Sequence, residues 1–153
     1  MKKVLIVTGA SRGIGRAVAV QAASVGYRVC VNYHRSAGAA ASVVSSLEQA
    51  GREAFACGAD MGSETDILRL FDKVKERWGR LDGLVNNAGV LESQCRLENM
   101  SAERMERVLR VNTIGPMLCC REAARRMTSG GSIVNVSSVA SRLGSAGEYV
   151  DYA

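Results

Sequence analysis

Apolar residues fall in short runs separated by longer stretches in which they recur every three or four positions. The runs Val4-Leu5-Ile6-Val7, Arg28-Val29-Cys30-Val31-Asn32, Ala54-Phe55-Ala56-Cys57, Leu81-Asp82-Gly83-Leu84-Val85 and Ser132-Ile133-Val134-Asn135-Val136 are strand-like. The intervening periodicity predicts helices over about 14–25, 37–50, 64–78 and 101–127. Gly26, Gly51 and Gly79 follow the first three, where helix-ending glycines belong. Ser63 with Asp66 and Ser101 with Arg104 occupy cap and N3 positions, and only the first pair resembles a charged capping arrangement. Strand–helix repetition with short loops predicts an α/β domain of parallel strands joined by right-handed crossovers, with helices on both faces. There is no internal repeat, low-complexity segment or linker, so residues 1–153 read as one domain. In sheets of this kind ligands bind beyond the carboxyl ends of the strands, and every motif below falls at such an end.

Composition adds exclusions. With 47% hydrophobic and 23% charged residues, the chain resembles an ordinary globular protein. One proline and 16 glycines suit long regular elements with glycine-built turns. The apolar run after Lys2-Lys3 is too short for a secretion signal and ends in Thr8-Gly9, and no stretch approaches the roughly 20 apolar residues of a membrane span. A cytoplasmic protein is expected. Five cysteines at positions 30, 57, 95, 119 and 120 show no metal-ligand spacing, and His34 is the sole histidine. The cysteines read as small buried hydrophobes in a reducing compartment, with no metal site. A net charge of +5 raises nucleic-acid binding, but basic and acidic residues are interleaved. Arg104, Arg107 and Arg110, and further on Arg121, Arg125 and Arg126, read as solvated helix faces rather than a nucleic-acid footprint.

Thr8-Gly9-Ala10-Ser11-Arg12-Gly13-Ile14-Gly15 joins the first strand to the first helix. Gly9 permits a sharp turn, and Gly13 and Gly15 let a pyrophosphate approach the backbone. The helix N-terminus behind them offers unpaired N–H groups and a positive dipole end. Thr-Gly-x-x-x-Gly-x-Gly is not the common dinucleotide-binding spacing; it resembles the version of the short-chain dehydrogenase/reductase family. Three further motifs strengthen the resemblance: Asn86-Asn87-Ala88-Gly89, Asn112 in the fourth helix, and Asn135-Val136-Ser137-Ser138 followed by Tyr152. It runs from Lys3 to Ala153 and lies nearest to glucose 1-dehydrogenase-like and 3-oxoacyl-(acyl-carrier-protein) reductase-like members. It implies a Rossmann-type doubly wound sheet of strand order 3-2-1-4-5. It also implies that the later strands and helices of the family lie beyond Ala153, so that the domain is incomplete at its C-terminus.

The resemblance implies a nicotinamide dinucleotide held by Gly9, Ser11, Arg12, Gly13, Ile14, Gly15, Arg35, Asp60, Asn87, Ala88 and Gly89. Where NAD-binding members place an acid, at the end of the second strand, this chain has Tyr33. Arg12 and Arg35 instead form a pair suited to a 2′-phosphate, so NADP(H) is expected. Asp60 is the family's adenine-holding position and also a plausible turn residue. His34 reads as exposed rim. Asn86 or Asn87 is placed to tie neighbouring strands together.

The implied activity is NADP(H)-dependent hydride transfer between nicotinamide and a carbonyl or alcohol carbon of a small molecule. Tyr152 is the implied proton donor, Ser138 the hydroxyl that polarises the substrate oxygen, and Asn112 the holder of a relay water. Ser138 is preferred to Ser137 because it matches the second serine of the family pattern. A phenol of pKa near 10 is a poor acid at neutral pH, and relatives place a lysine four residues after the tyrosine to lower it. The expectation is therefore that residues 1–153 alone are inactive. Pro116, which has no N–H, leaves the Asn112 carbonyl without its usual helical partner; a freed water site and a plain helix kink remain equally open. A homotetramer or homodimer is implied for the full-length form, with no membrane or nucleic-acid partner. The alternative function is a catalytically inactive dinucleotide-binding or interaction fragment.

Overall fold

A computed structural model describes residues 2–153. Strands β1 (Val4–Val7), β2 (Arg28–Tyr33), β3 (Ala54–Gly58), β4 (Gly83–Asn86) and β5 (Ser132–Asn135) form one sheet in the order β3-β2-β1-β4-β5. Every pairing is parallel, as the strand–helix alternation predicts. The intervening helices are α1 (Gly13–Ser24), α2 (Ala37–Gln49), α3 (Glu64–Trp78), α4 (Ala102–Leu109) and α5 (Gly115–Arg126), with a short α6 (Ala140–Leu143) after β5.

The period of two along each strand sorts the apolar side chains into two cores. Leu5, Val7, Val29, Val31 and Val85 face α1 and α2, which contribute Ala19, Ala23, Ala40, Val43 and Leu47. Val4, Ile6, Cys30, Cys57 and Leu84 face α3 and α5, which contribute Ile67, Leu70, Phe71, Val74, Cys119 and Ala123. Fully buried side chains the size of Leu70 and Phe71 are each worth about 1.5–3 kcal/mol by removal from water. Ser63 and Ser101 cap α3 and α4 by accepting from the N–H groups of Asp66 and Arg104. Gly79 ends α3 in the left-handed region.

Four expectations need correction. The helix expected over 101–127 is two helices joined by a wide turn, 110–114, in which the Gly115 N–H reaches back to the Arg110 carbonyl. Pro116 supplies no N–H to close an ordinary turn there, and Gly115 packs against the Met61 carbonyl, where a Cβ would collide. Second, the two later strand runs read alike in the sequence, yet only β5 is exposed. Leu84 is fully buried, whereas Val134 is 52% exposed, because β4 lies between β1 and β5 above α5 and β5 is an edge. Third, only Cys30, Cys57 and Cys119 are buried; Cys95 and Cys120 are half-exposed, and all five are free thiols. Burial pushes the Cys119 thiol up to about 12.

The arginines are the fourth correction. Arg121, Arg125 and Arg126 surround Glu122, whose side chain is almost fully buried, and Arg121 and Arg126 also reach Glu64 and Asp72 on α3. Burial works against the Glu122 carboxylate, yet the arginine hydrogen bonds outweigh it and hold its pKa below the usual range. Arg107 pairs with Glu92 at 2.7 Å, and Arg104 with Asp151. Arg104, Arg121 and Arg126 thus tie separate elements together, while Arg107 and Arg125 stay more than half exposed, as a solvated face requires. Among the described residues no helix is long and apolar enough to cross a membrane, and no cluster of metal-ligating side chains occurs.

Candidate functional site

The carboxyl ends of β1, β2 and β4 converge on the turn into α1. Gly9 has φ of 63°, and a Cβ there would stand 2.9 Å from the Ala88 Cα. Glycine is required on both counts. The turn is held from two sides. Asn32, buried at the end of β2, accepts from the Gly9 N–H at 3.1 Å and donates to the carbonyls of Cys57 (3.2 Å) and Ala59 (3.1 Å). From the other side, the Thr8 hydroxyl accepts from the N–H groups of Asn87 (2.9 Å) and Ala88 (3.0 Å), and Asn87 Nδ2 donates to the carbonyls of Thr8 and Gly9. Asn86 spans β4 and β5 by donating to Asn135 Oδ1 at 2.8 Å. Both asparagines therefore tie strands, one to the turn and the other to the sheet edge.

A cleft of about 770 Å³ opens above this turn, within the range of small-molecule sites. Gly9, Ser11, Arg12, Gly13 and Ile14 form its floor, Arg35 and Asp60 one flank, and Asn87, Ala88 and Gly89 the other. All the residues expected to hold a dinucleotide line it except Gly15, which lies beneath. A Cβ on Gly15 would stand 2.6 Å from the Gly9 carbonyl oxygen, so its smallness packs α1 against the turn.

Arg12, the extended residue before α1, gives the helix no side-chain cap. The first N–H groups of α1, at Gly13 and Ile14 in the cleft lining, thus lack a capping side chain and are donors available to an anion. Among the described residues Arg12 and Arg35 have no carboxylate partner. Asp60 accepts from the Gly62 N–H at 2.8 Å, which is the turn role, and lies 3.8 Å from His34 on the same rim. This arrangement suits a phosphorylated dinucleotide: donors at the floor, guanidinium groups at one lip, and a β2 end that carries Tyr33 instead of an acid. Arg110 and Val111 also line the cleft and were missed in the sequence, because only the wide turn after α4 swings them over it.

The three residues expected to carry catalysis lie outside this cleft. Asn112 brackets Val90, accepting from its N–H and donating to its carbonyl, both at 2.8 Å, and so holds the strand–helix loop that closes one end. The Ser138 hydroxyl oxygen accepts from the Ala140 N–H at 3.2 Å in the turn after β5. Tyr152 is half-buried in the last turn, its N–H donating to Asp151 Oδ1 at 3.0 Å. Ser138 and Tyr152 make no hydrogen bond to one another among the described residues.

The family model described as short chain dehydrogenase matches residues 3–153. The chain is 52% identical to Uncharacterized oxidoreductase YgfF of Escherichia coli (strain K12), over 98% of this chain and 63% of that protein. Among solved structures, angucycline C-6 ketoreductase LanV with bound NADP superposes with a TM-score of 0.90 at 40% identity, over 98% of this chain and 60% of LanV. A short chain dehydrogenase from Burkholderia cenocepacia J2315 in complex with NADP gives 0.89 at 38% identity, over 95% of this chain and 59% of that one. The chain thus spans less than two thirds of the length of these relatives.

Proposed function

The chain belongs to the short chain dehydrogenase family, and from that premise we propose that its cleft binds NADP(H) for reduction of a small-molecule carbonyl or oxidation of the corresponding alcohol. The carrying observation is the cleft itself, where an uncapped helix N-terminus meets Arg12 and Arg35, neither paired with a carboxylate among the described residues. The NADP-bound relatives support the same choice. Nicotinamide, when bound, supplies or receives the hydride. The protein positions and protonates. Arg12 and Arg35 take the 2′-phosphate through charge-assisted hydrogen bonds, and the α1 N–H groups take the pyrophosphate. The Ser138 oxygen already accepts from Ala140, which leaves its O–H free to donate to a substrate oxygen. Tyr152 delivers the proton to that oxygen. Asn112 keeps the loop around Val90 in place at the cleft. The free thiols suit a reducing, cytoplasmic setting.

Titration of the purified protein with NADPH and NADH tests the cofactor assignment. Charge-assisted contacts of this type are worth about 1.5–3 kcal/mol each, so NADPH should bind about tenfold more tightly or better. Arg35→Asp should abolish or reverse the preference. Equal affinities in the parent protein would refute it. In the full-length form, NADPH binding without carbonyl reduction would favour the second reading, a dinucleotide-binding module, for which the separate hydrogen-bonding of Ser138 and Tyr152 is the supporting observation.

A further inference from the structure

We propose that Arg104 and Asp151 form a latch that positions Tyr152, an inference that rests on the reading of Tyr152 as the proton donor. Arg104 Nε meets Asp151 Oδ2 at 2.7 Å and Nη2 meets Oδ1 at 3.2 Å, a fork-on-fork pair. The side chains are 15% and 3% exposed, so the pair is largely covered by the loop and segment it joins. The remaining terminal nitrogen, Nη1, donates to the Ser93 carbonyl at 2.7 Å. Asp151 Oδ1 also accepts from the Tyr152 N–H at 3.0 Å.

One guanidinium therefore joins three pieces of chain. They are the first turn of α4, the loop after β4 that Asn112 holds at Val90, and the segment carrying Tyr152. The Cys95 N–H donates to the Glu148 carbonyl at 2.9 Å, a second tie between the same loop and the same segment. The tyrosine segment needs such ties, since Gly144, Ser145 and Gly147 all have positive φ just before it and it contains no long helix or strand of its own. Because the carboxylate belongs to the residue immediately before Tyr152 and also holds the Tyr152 N–H, the pair sets where that backbone sits and from which direction the phenol projects. A lysine at 104 would keep the charge but lose the fork and the bond to Ser93.

Fluorine NMR on protein labelled with fluorotyrosine tests the latch without requiring turnover. The chain has four tyrosines, and Tyr152→Phe identifies the signal of interest. In the parent, that signal should be displaced from free fluorotyrosine and should move on saturation with NADP. In Arg104→Met and in the near-isosteric Asp151→Asn it should collapse towards the free position. Arg104→Lys should recover it only in part, and NADPH affinity should stay within about twofold throughout, reporting an intact cleft. Faster amide exchange should be confined to 145–153. An unchanged Tyr152 signal in Arg104→Met or Asp151→Asn would overturn the latch, as would equal movement of all four tyrosine signals, which marks general loosening. If NADP leaves the Tyr152 signal of the parent unmoved, the catalytic assignment of Tyr152 fails instead, while the spectra without cofactor still decide the latch.

Discussion

Asn32→Leu separates the structural work done by a buried polar side chain from that of the glycines it supports. Leucine has the heavy-atom count and branching of asparagine and leaves no cavity, so lost hydrogen bonds set the minimum cost and the bulkier methyl groups add to it. Asn32 is 1% exposed. Its removal strands the part-buried Gly9 N–H, a loss of about 1–3 kcal/mol with the upper end reached only if water stays out, and deletes donations to the Cys57 and Ala59 carbonyls at about 1 kcal/mol each. The total is about 3–5 kcal/mol. At about 2–4 °C per kcal/mol for a chain of this size, the midpoint of thermal unfolding should fall by roughly 6–20 °C. The Gly9 turn is also the cleft floor, so NADPH affinity, measured by fluorescence titration well below the new midpoint, should fall as well. A midpoint within about 2 °C of the parent, with NADPH affinity unchanged, would show that Asn32 does not hold the turn.

Two other outcomes follow from the charges and thiols. Asp82 accepts from the Val4 N–H at 2.8 Å and from Arg80, whose guanidinium is the main reason its carboxyl titrates below the usual range. A depressed folded pKa stabilises the fold above the ordinary aspartate value near 3.9 and the benefit disappears as pH falls through the folded value. Asp82→Asn should therefore lower the unfolding midpoint at pH 7 by several degrees, with the gap to the parent closing under acid; a constant gap down to pH 2 would contradict the pairing. Among the thiols, Cys95 and Cys120 should react with a disulfide reagent at pH 7, while Cys119, pushed up to about 12 by burial, should react only on unfolding. Labelling of Cys119 in the folded protein, read by peptide mass, would refute its burial.

Local pattern alone determined the five strands, the first three helices to within a residue or two and the glycine turn, while the dinucleotide-lining residues from Gly9 to Gly89 came from the family resemblance. The strands, helices and turn depend on periodicity or on a φ and a close approach that only glycine tolerates, and both are properties of short segments. The tertiary structure decided what depends on partners remote in sequence. Arg104 and Asp151 stand 47 positions apart, so the run Arg104, Arg107, Arg110 looked like a solvated stripe although its members face an aspartate, a glutamate and the cleft. Asn32 looked like the end of a strand, and only the arrival of Gly9, Cys57 and Ala59 around it makes it a bracket. Pro116 announced a disturbance, but the wide turn at 110–114 also needed Gly115 to lie against the Met61 carbonyl. Periodicity records which face of a segment is apolar; the pairing energy of a guanidinium, an amide or an unpaired carbonyl depends on what the rest of the chain brings within about 3 Å.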